Sequence, residues 1–129
     1  MPDSYNNLFL KKKIEEFQQG KRKESFIDLK HYIKNNPDDS IARYNLGLMA
    51  QNLNLIDEAK DQYSKTITND KKNWQAFFNL YLLYIKEKNY NEALKLIDSV
   101  LFLKKDYQPA LRDKALVLNY QNKPDKALT

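Results

Sequence analysis

The sequence predicts an all-α protein assembled from repeated helix pairs, and three observations lead there. Ala59, Ala93 and Ala127 are evenly spaced, and Ala42, Ala76 and Ala110 keep the same interval, as do Asn45 with Asn79 and Leu48 with Leu82 and Leu116. Inside each unit, apolar residues recur at i, i+3, i+4 and i+7, the spacing of one helical face. Only two glycines and four prolines occur in 129 residues, too few for the many tight turns of a barrel or sandwich. Several independent columns sharing one period mark a repeat protein.

The first unit, residues 6–39, is divergent. Leu10, Ile14 and Phe17 space well on a helix but read as shifted by one residue against the later units. A shorter turn around Gln19 and Gly20 is the expected repair, and a divergent end unit suits a cap with one wet face. Ser25 and Gly20 still keep step, standing one period before Ala59 and Asn54. In the second unit, residues 40–73, Ala42, Leu46, Met49, Ala50 and Leu53 give the first helix, and "QNLNL" carries the chain to a break. Asp57 is the expected N-cap of the second helix, whose apolar face is Ala59, Tyr63, Thr66 and Ile67.

The third unit, residues 74–107, repeats the plan. Asn73 is a candidate cap for a helix carrying Ala76, Leu80, Leu83 and Tyr84, and Asn91 for one carrying Ala93, Leu94, Ile97, Val100 and Leu101. In the fourth, residues 108–129, Pro109 fits the first turn of a helix. The closing "NKPDKALT" then reads as a turn and the start of a second helix capped by Asp125. The expectation is a truncated fourth repeat in a fragment of a longer protein. Leu111, Ala115 and Leu118 would then form an open C-terminal face available for self-association.

Composition narrows the function. Apolar residues make up 42% and aromatics 12% of the chain, enough for a real core in a single domain over residues 1–129. The absence of cysteine excludes disulfides, thiol nucleophiles and cysteine-bound metal centres. His31 is the one histidine, on the second helix of the first unit, so neither a zinc site nor a nucleophile–histidine arrangement can be assembled. Glu15-Glu16, Asp38-Asp39 and Asp57-Glu58 are adjacent pairs that point different ways on helices or serve helix starts. Gly20 and Gly47 are isolated, so no phosphate-cradling loop exists. No catalysis, metal or cofactor is expected. Neither a signal peptide nor a run of membrane-spanning length is present, which makes a cytoplasmic protein without a membrane partner the expectation.

The net charge of +5 sits largely in Lys11-Lys12-Lys13 and Lys21-Arg22-Lys23. Lysines far outnumber the three arginines, whereas planar, bidentate phosphate reading favours arginine. No basic column recurs at the repeat interval, so nucleic acid is not the expected partner. An RNA-binding helical repeat is the weaker alternative.

Helix–turn–helix units of about 34 residues with these columns resemble the tetratricopeptide repeat. The matching residues are Leu46-Gly47, Ala59, Tyr63 and Lys65, then Leu80, Tyr84, Tyr90, Ala93 and Val100, then Ala115, Pro124 and Ala127. Gly47 and Ala59 are small where two helices must come close. Tyr81 departs from the pattern where Gly47 and Ala115 stand, so that pair must open or the ring must turn aside. Pro37 ends the first unit, and Lys71 and Lys105 replace it later.

The resemblance implies a tetratricopeptide-like α-solenoid, a right-handed superhelix of antiparallel helix pairs whose first helices line a concave face. It further implies a protein- or peptide-binding scaffold. Residues not needed for pairing should form the groove: Tyr44, Leu48, Gln51 and Asn52 in the second unit, and Gln75, Phe78, Leu82, Ile85 and Lys86 in the third. The fourth adds Arg112, Leu116, Asn119 and Tyr120. The spacing 44/48/51, 78/82/85 and 112/116/119 puts each set on one helical face. Such a groove, with an apolar and aromatic floor, suits an apolar or amphipathic ligand, with Lys86 and Arg112 available for a carboxylate.

One branch of the family clamps C-terminal Glu-Glu-Val-Asp tails with Lys, Asn and Arg. Asn45 and Asn79 match its central asparagine column, but the flanking cations are absent, and that reading is rejected. The resemblance also allows the repeat region of an enzyme, such as a glycosyltransferase or sulfotransferase, with its catalytic domain beyond residue 129.

Overall fold

A computed structural model describes residues 2–122, with side chains from Leu8 onward. Seven helices run through the described residues: α1 (Pro2–Gln18), α2 (Arg22–Asn35), α3 (Ser40–Asn52), α4 (Ile56–Asn69), α5 (Trp74–Lys86), α6 (Tyr90–Leu103) and α7 (Gln108–Asn122). Asp125 and the rest of the closing "KPDKALT" lie outside the described residues. Two compact units, called the first and second unit from here on, divide the chain, Met1–Asn69 with α1–α4 and Asp70–Thr129 with α5–α7; the repeating segments of the sequence are called repeats.

Within each helix pair the connecting turn is the same. Gly20, Asn54 and Lys88 take left-handed φ values of 104°, 62° and 63°. Each ends its helix by a pair of backbone bonds. Asn54 N–H donates to Gln51 O at 3.0 Å and Leu55 N–H to Ala50 O at 2.8 Å; Lys88 N–H donates to Ile85 O and Asn89 N–H to Tyr84 O, both at 2.9 Å. Gly20 N–H and Lys21 N–H do likewise with Phe17 O at 3.1 Å and Glu16 O at 3.0 Å. These are Schellman closures, in which one left-handed residue satisfies the last carbonyls of a helix.

This turn corrects two expectations. The first repeat needs no shorter turn, because Gly20 stands one period before Asn54 with a left-handed φ as well. Nor are Asp57 and Asn91 N-caps. The chain re-enters a helix directly after the left-handed residue, so α4 begins at Ile56 and α6 at Tyr90, and Asn89, just before α6, makes no side-chain cap bond. Asp57 and Glu58 instead sit in the first turn of α4, where their charge complements the helix dipole.

Between pairs, side-chain caps do the work. Asp39 Oδ1 accepts from Ala42 N–H at 3.1 Å at the start of α3, and Asn73 Oδ1 accepts from Ala76 N–H at 3.1 Å at the start of α5. Pro109 falls in the first turn of α7, where its missing N–H costs nothing. The second oxygen of Asp39 accepts from Tyr32 Oη at 2.7 Å, tying α2 to α3.

The first unit buries Leu29, Leu46, Ala50, Ala59 and Tyr63 in its core. Arg43 is buried with them. It donates from Nη1 to Gln62 Oε1 at 2.9 Å and from Nη2 to Pro37 O at 2.8 Å, which pins the α2–α3 loop to α4. The second unit centres on Tyr81, Ala93, Ile97, Val100, Ala110 and Val117.

Tyr81 resolves the departure noted above. Its ring is wholly buried and turned aside, donating from Oη to Asp113 Oδ2 of α7 at 2.7 Å. At the equivalent site of the first unit the ring comes from the opposite helix, since Tyr63 fills the space beside Gly47. The counterpart of Tyr63 one period later is Ile97, small enough to leave room for Tyr81.

Candidate functional site

In the first unit, α1 and α3 leave an open cleft. Its larger part, about 760 Å³, is lined by Leu8, Leu10, Ile14 and Ile41 with Lys11, Glu15 and Asn45 at the edges. A continuation of about 300 Å³ runs past Phe17, Leu48, Met49 and Asn52. Leu8 and Ile41 are 67% and 58% exposed, which is unusual for neighbouring large apolar side chains. Asn45 lines both parts and donates its amide to Ile41 O at 2.8 Å, which holds the side chain along its own helix.

The groove residues named from sequence fall into two groups. Leu48 and Asn52 line the α1–α3 cleft and are exposed, with Asn52 Oδ1 also accepting from Arg22 Nη1 at 3.4 Å. Gln75, Leu82, Lys86, Arg112, Leu116 and Asn119 are likewise exposed on α5 and α7. The remainder are engaged with their own unit. Tyr44 is half-buried with its ring 5.9 Å from that of Tyr63, and Gln51 Oε1 accepts from Tyr63 Oη at 2.8 Å. Phe78 meets Trp74, Tyr81 and Tyr107 edge-on at 6.4, 5.1 and 5.5 Å, and Ile85 packs on the same core. Tyr120 stacks nearly flat on Tyr90 at 5.3 Å.

Leu8, Leu10, Ile14 and Ile41 were not among the groove residues named from sequence. The signal was there: Ile14 stands one period before Leu48, so it heads the column Leu48, Leu82, Leu116, and Leu10 likewise precedes Tyr44. The assumed one-residue shift of the first repeat hid it.

The polar groups beneath these faces are structural. Burial pushes the Tyr63 and Tyr81 hydroxyls well above the ordinary tyrosine range, and the bond to Asp113 raises Tyr81 further. Tyr32 is pushed up to about 12 by burial and by its bond to Asp39. Lys13 is raised chiefly by its hydrogen bond to Asp28, at 2.7 Å. His31 is exposed on α2. Among the described residues, no group of His, Asp or Glu could hold a metal ion, and no helix is long and apolar enough to cross a membrane.

Comparison with known proteins places this geometry. No protein-family model matches the sequence, and comparison with curated proteins finds no match. Solved structures do match. The chain is similar to MamA with a TM-score of 0.80 at 18% identity, over 93% of this chain and 66% of that one. It is similar to YrrB, described as a tetratricopeptide repeat protein with an unusual peptide-binding site, with a TM-score of 0.72 at 25% identity, over 84% of this chain and 56% of that one. The first such domain of Spaghetti (RPAP3), bound to the HSP90 peptide SRMEEVD, matches with a TM-score of 0.78 at 16% identity, over 89% of this chain and 91% of that domain. The chain thus spans 66% and 56% of the MamA and YrrB chains. Together with the period of the sequence, these likenesses show an all-α protein of the tetratricopeptide repeat fold.

Proposed function

We propose that the chain is a non-catalytic scaffold that binds a protein or peptide through apolar side chains exposed on the first helix of each pair. The cleft between α1 and α3 carries the reading. It places Leu8, Ile14, Ile41 and Leu48 along one opening, where an apolar or amphipathic segment can bury its side chains. In the second unit, Leu82 on α5 and Leu116 on α7, 37% and 42% exposed, continue the same repeat column, with Lys86 and Arg112 as cations for a ligand carboxylate. Peptide binding by two proteins of like fold supports the class of ligand, and their own peptides are theirs alone.

Fluorescence anisotropy with a panel of short, labelled amphipathic peptides tests the proposal. Leu48→Glu and Leu82→Glu should each weaken the best binder at least ~10-fold while the circular dichroism spectrum stays unchanged. Unaltered affinity in both variants would discard the site. The stripe Leu111, Ala115 and Leu118 on α7, all exposed, supports self-association through that face. Sedimentation equilibrium of Leu111→Glu/Leu118→Glu beside the parent protein reads it directly: if both are monomers at every concentration, it is not an interface.

A further inference from the structure

The second unit carries another opening, away from the exposed first-helix residues just described. It measures about 530 Å³ and lies between the N-terminal end of α5 and the C-terminal end of α6. Phe77, Phe102 and Leu103 supply apolar lining, and Lys71 and Lys72 supply cations. Phe102 is 83% exposed, more than any other large apolar side chain described. Its counterparts one and two periods earlier are Thr68 and Lys34, so the repeat itself does not call for an aromatic ring there.

Two carboxylates lie near this opening, and one of them, Asp70, is turned to the backbone, where its Oδ1 accepts from Lys72 N–H at 3.1 Å. Asp98 also lines it, but Lys114 Nζ donates to Asp98 Oδ1 at 2.9 Å and meets its charge. No carboxylate among the described residues pairs with the Lys71 or Lys72 ammonium group. An exposed aromatic ring next to two unmatched cations is complementary to one chemistry: an apolar side chain flanked by carboxylates.

From this geometry we infer that the opening around Phe102 is a second docking site, for an acidic peptide segment bearing a bulky apolar residue. That residue seats against Phe77, Phe102 and Leu103, while neighbouring carboxylates meet Lys71 and Lys72. Charge complementarity steers such a segment and sets its orientation. A flat anionic membrane fits less well, because the site is a concave opening. RNA fits less well because both cations are lysines rather than forked guanidinium groups. The inference stands on residues that the α1–α3 cleft does not use, so either can fail alone.

Titration of the ¹⁵N-labelled protein with a short probe peptide of Glu, Leu and Ala tests it. Amide shifts are expected at Lys72, Phe77, Ser99 and Phe102, with affinity that falls as salt is raised. Phe102→Ala and Lys71→Glu/Lys72→Glu should each weaken the probe at least ~10-fold with an unchanged circular dichroism spectrum. Phe102 packs so little that its removal leaves the fold intact. A probe with Lys in place of Glu should not bind. The inference is overturned by shifts confined to α1 and α3, by equal binding of the lysine probe, or by Phe102-dependent binding of phosphatidylserine vesicles or single-stranded RNA in place of the peptide.

Discussion

Tyr63 occupies the space that any side chain at position 47 would need. A Cβ built on Gly47 comes 2.6 Å from Tyr63 Cε1 and 2.8 Å from Cδ1, inside any real contact distance. The ring has nowhere to retreat, because Tyr63 is wholly buried and its hydroxyl is held by Gln51 at 2.8 Å. Gly47→Ala should therefore cost about 1–3 kcal/mol, read as a lower denaturation midpoint. Adding Tyr63→Ile, the arrangement of Tyr81 with Ile97 seen from the other helix, should recover part of the loss. A double variant no more stable than the sum of the singles would show that the two positions are not coupled.

Lys88 holds a left-handed φ of 63° that glycine adopts without strain. Its side chain is exposed, so little is lost on removing it. Lys88→Gly should raise stability by about 1 kcal/mol, whereas Gly20→Ala, at φ 104°, should lower it. Thermal unfolding of both variants checks the pair, and a neutral or destabilising Lys88→Gly would count against the turn geometry.

Arg43 is a buried cation held by neutral acceptors, and its Nε has no partner among the described residues. Arg43→Ala should destabilise strongly, by roughly 2–4 kcal/mol, because it opens a cavity and strands Gln62 and the Pro37 carbonyl. Arg43→Met keeps much of the volume and removes the buried charge, so its cost should be clearly smaller. Equal losses in the two variants would mean that the hydrogen bonds, not the packing, dominate.

The raised tyrosine hydroxyls should weaken the fold at alkaline pH. Tyr32 titrates at about 12 in the folded chain against an ordinary value of about 10, and Tyr81 is displaced in the same direction. The folded state thus holds these protons more tightly than the unfolded one. Their contribution is complete below about pH 10 and is lost as pH rises through the folded values. Lys13, raised by Asp28, acts with the same sign. The melting temperature should stay level up to about pH 9 and then fall. Tyr32→Phe should soften that fall; an identical alkaline slope in the variant would remove Tyr32 as a cause.

Ala93 lies wholly buried on α6, in the cluster that also holds Tyr81 of α5 and Val117 of α7. Ala93→Leu should lower the melting temperature by overpacking, at about 1–3 kcal/mol. An unchanged melting temperature would place Ala93 off the helix-pair contact.

The sequence by itself determined the period, the order of helices, the Asn73 cap and the columns of small residues. All of these are local or strictly repeated, and repetition averages out the context of any one position. It also carried the column from Ile14 to Leu116, exposed from Leu48 onward, although the apparent shift of the first repeat concealed its first member. Only the tertiary structure decided where the long side chains go. Tyr81 swings to Asp113, Phe78 joins the rings of Trp74 and Tyr107, and Tyr120 lies on Tyr90. The same column leaves Leu48 and Leu82 in solvent, and Phe102 stands exposed without a repeat partner. A period specifies which residues share a helical face, but a ring can reach several neighbours from one Cα. Which one it takes depends on the distance between helices and on the residues opposite, and those exist only once the pairs have packed.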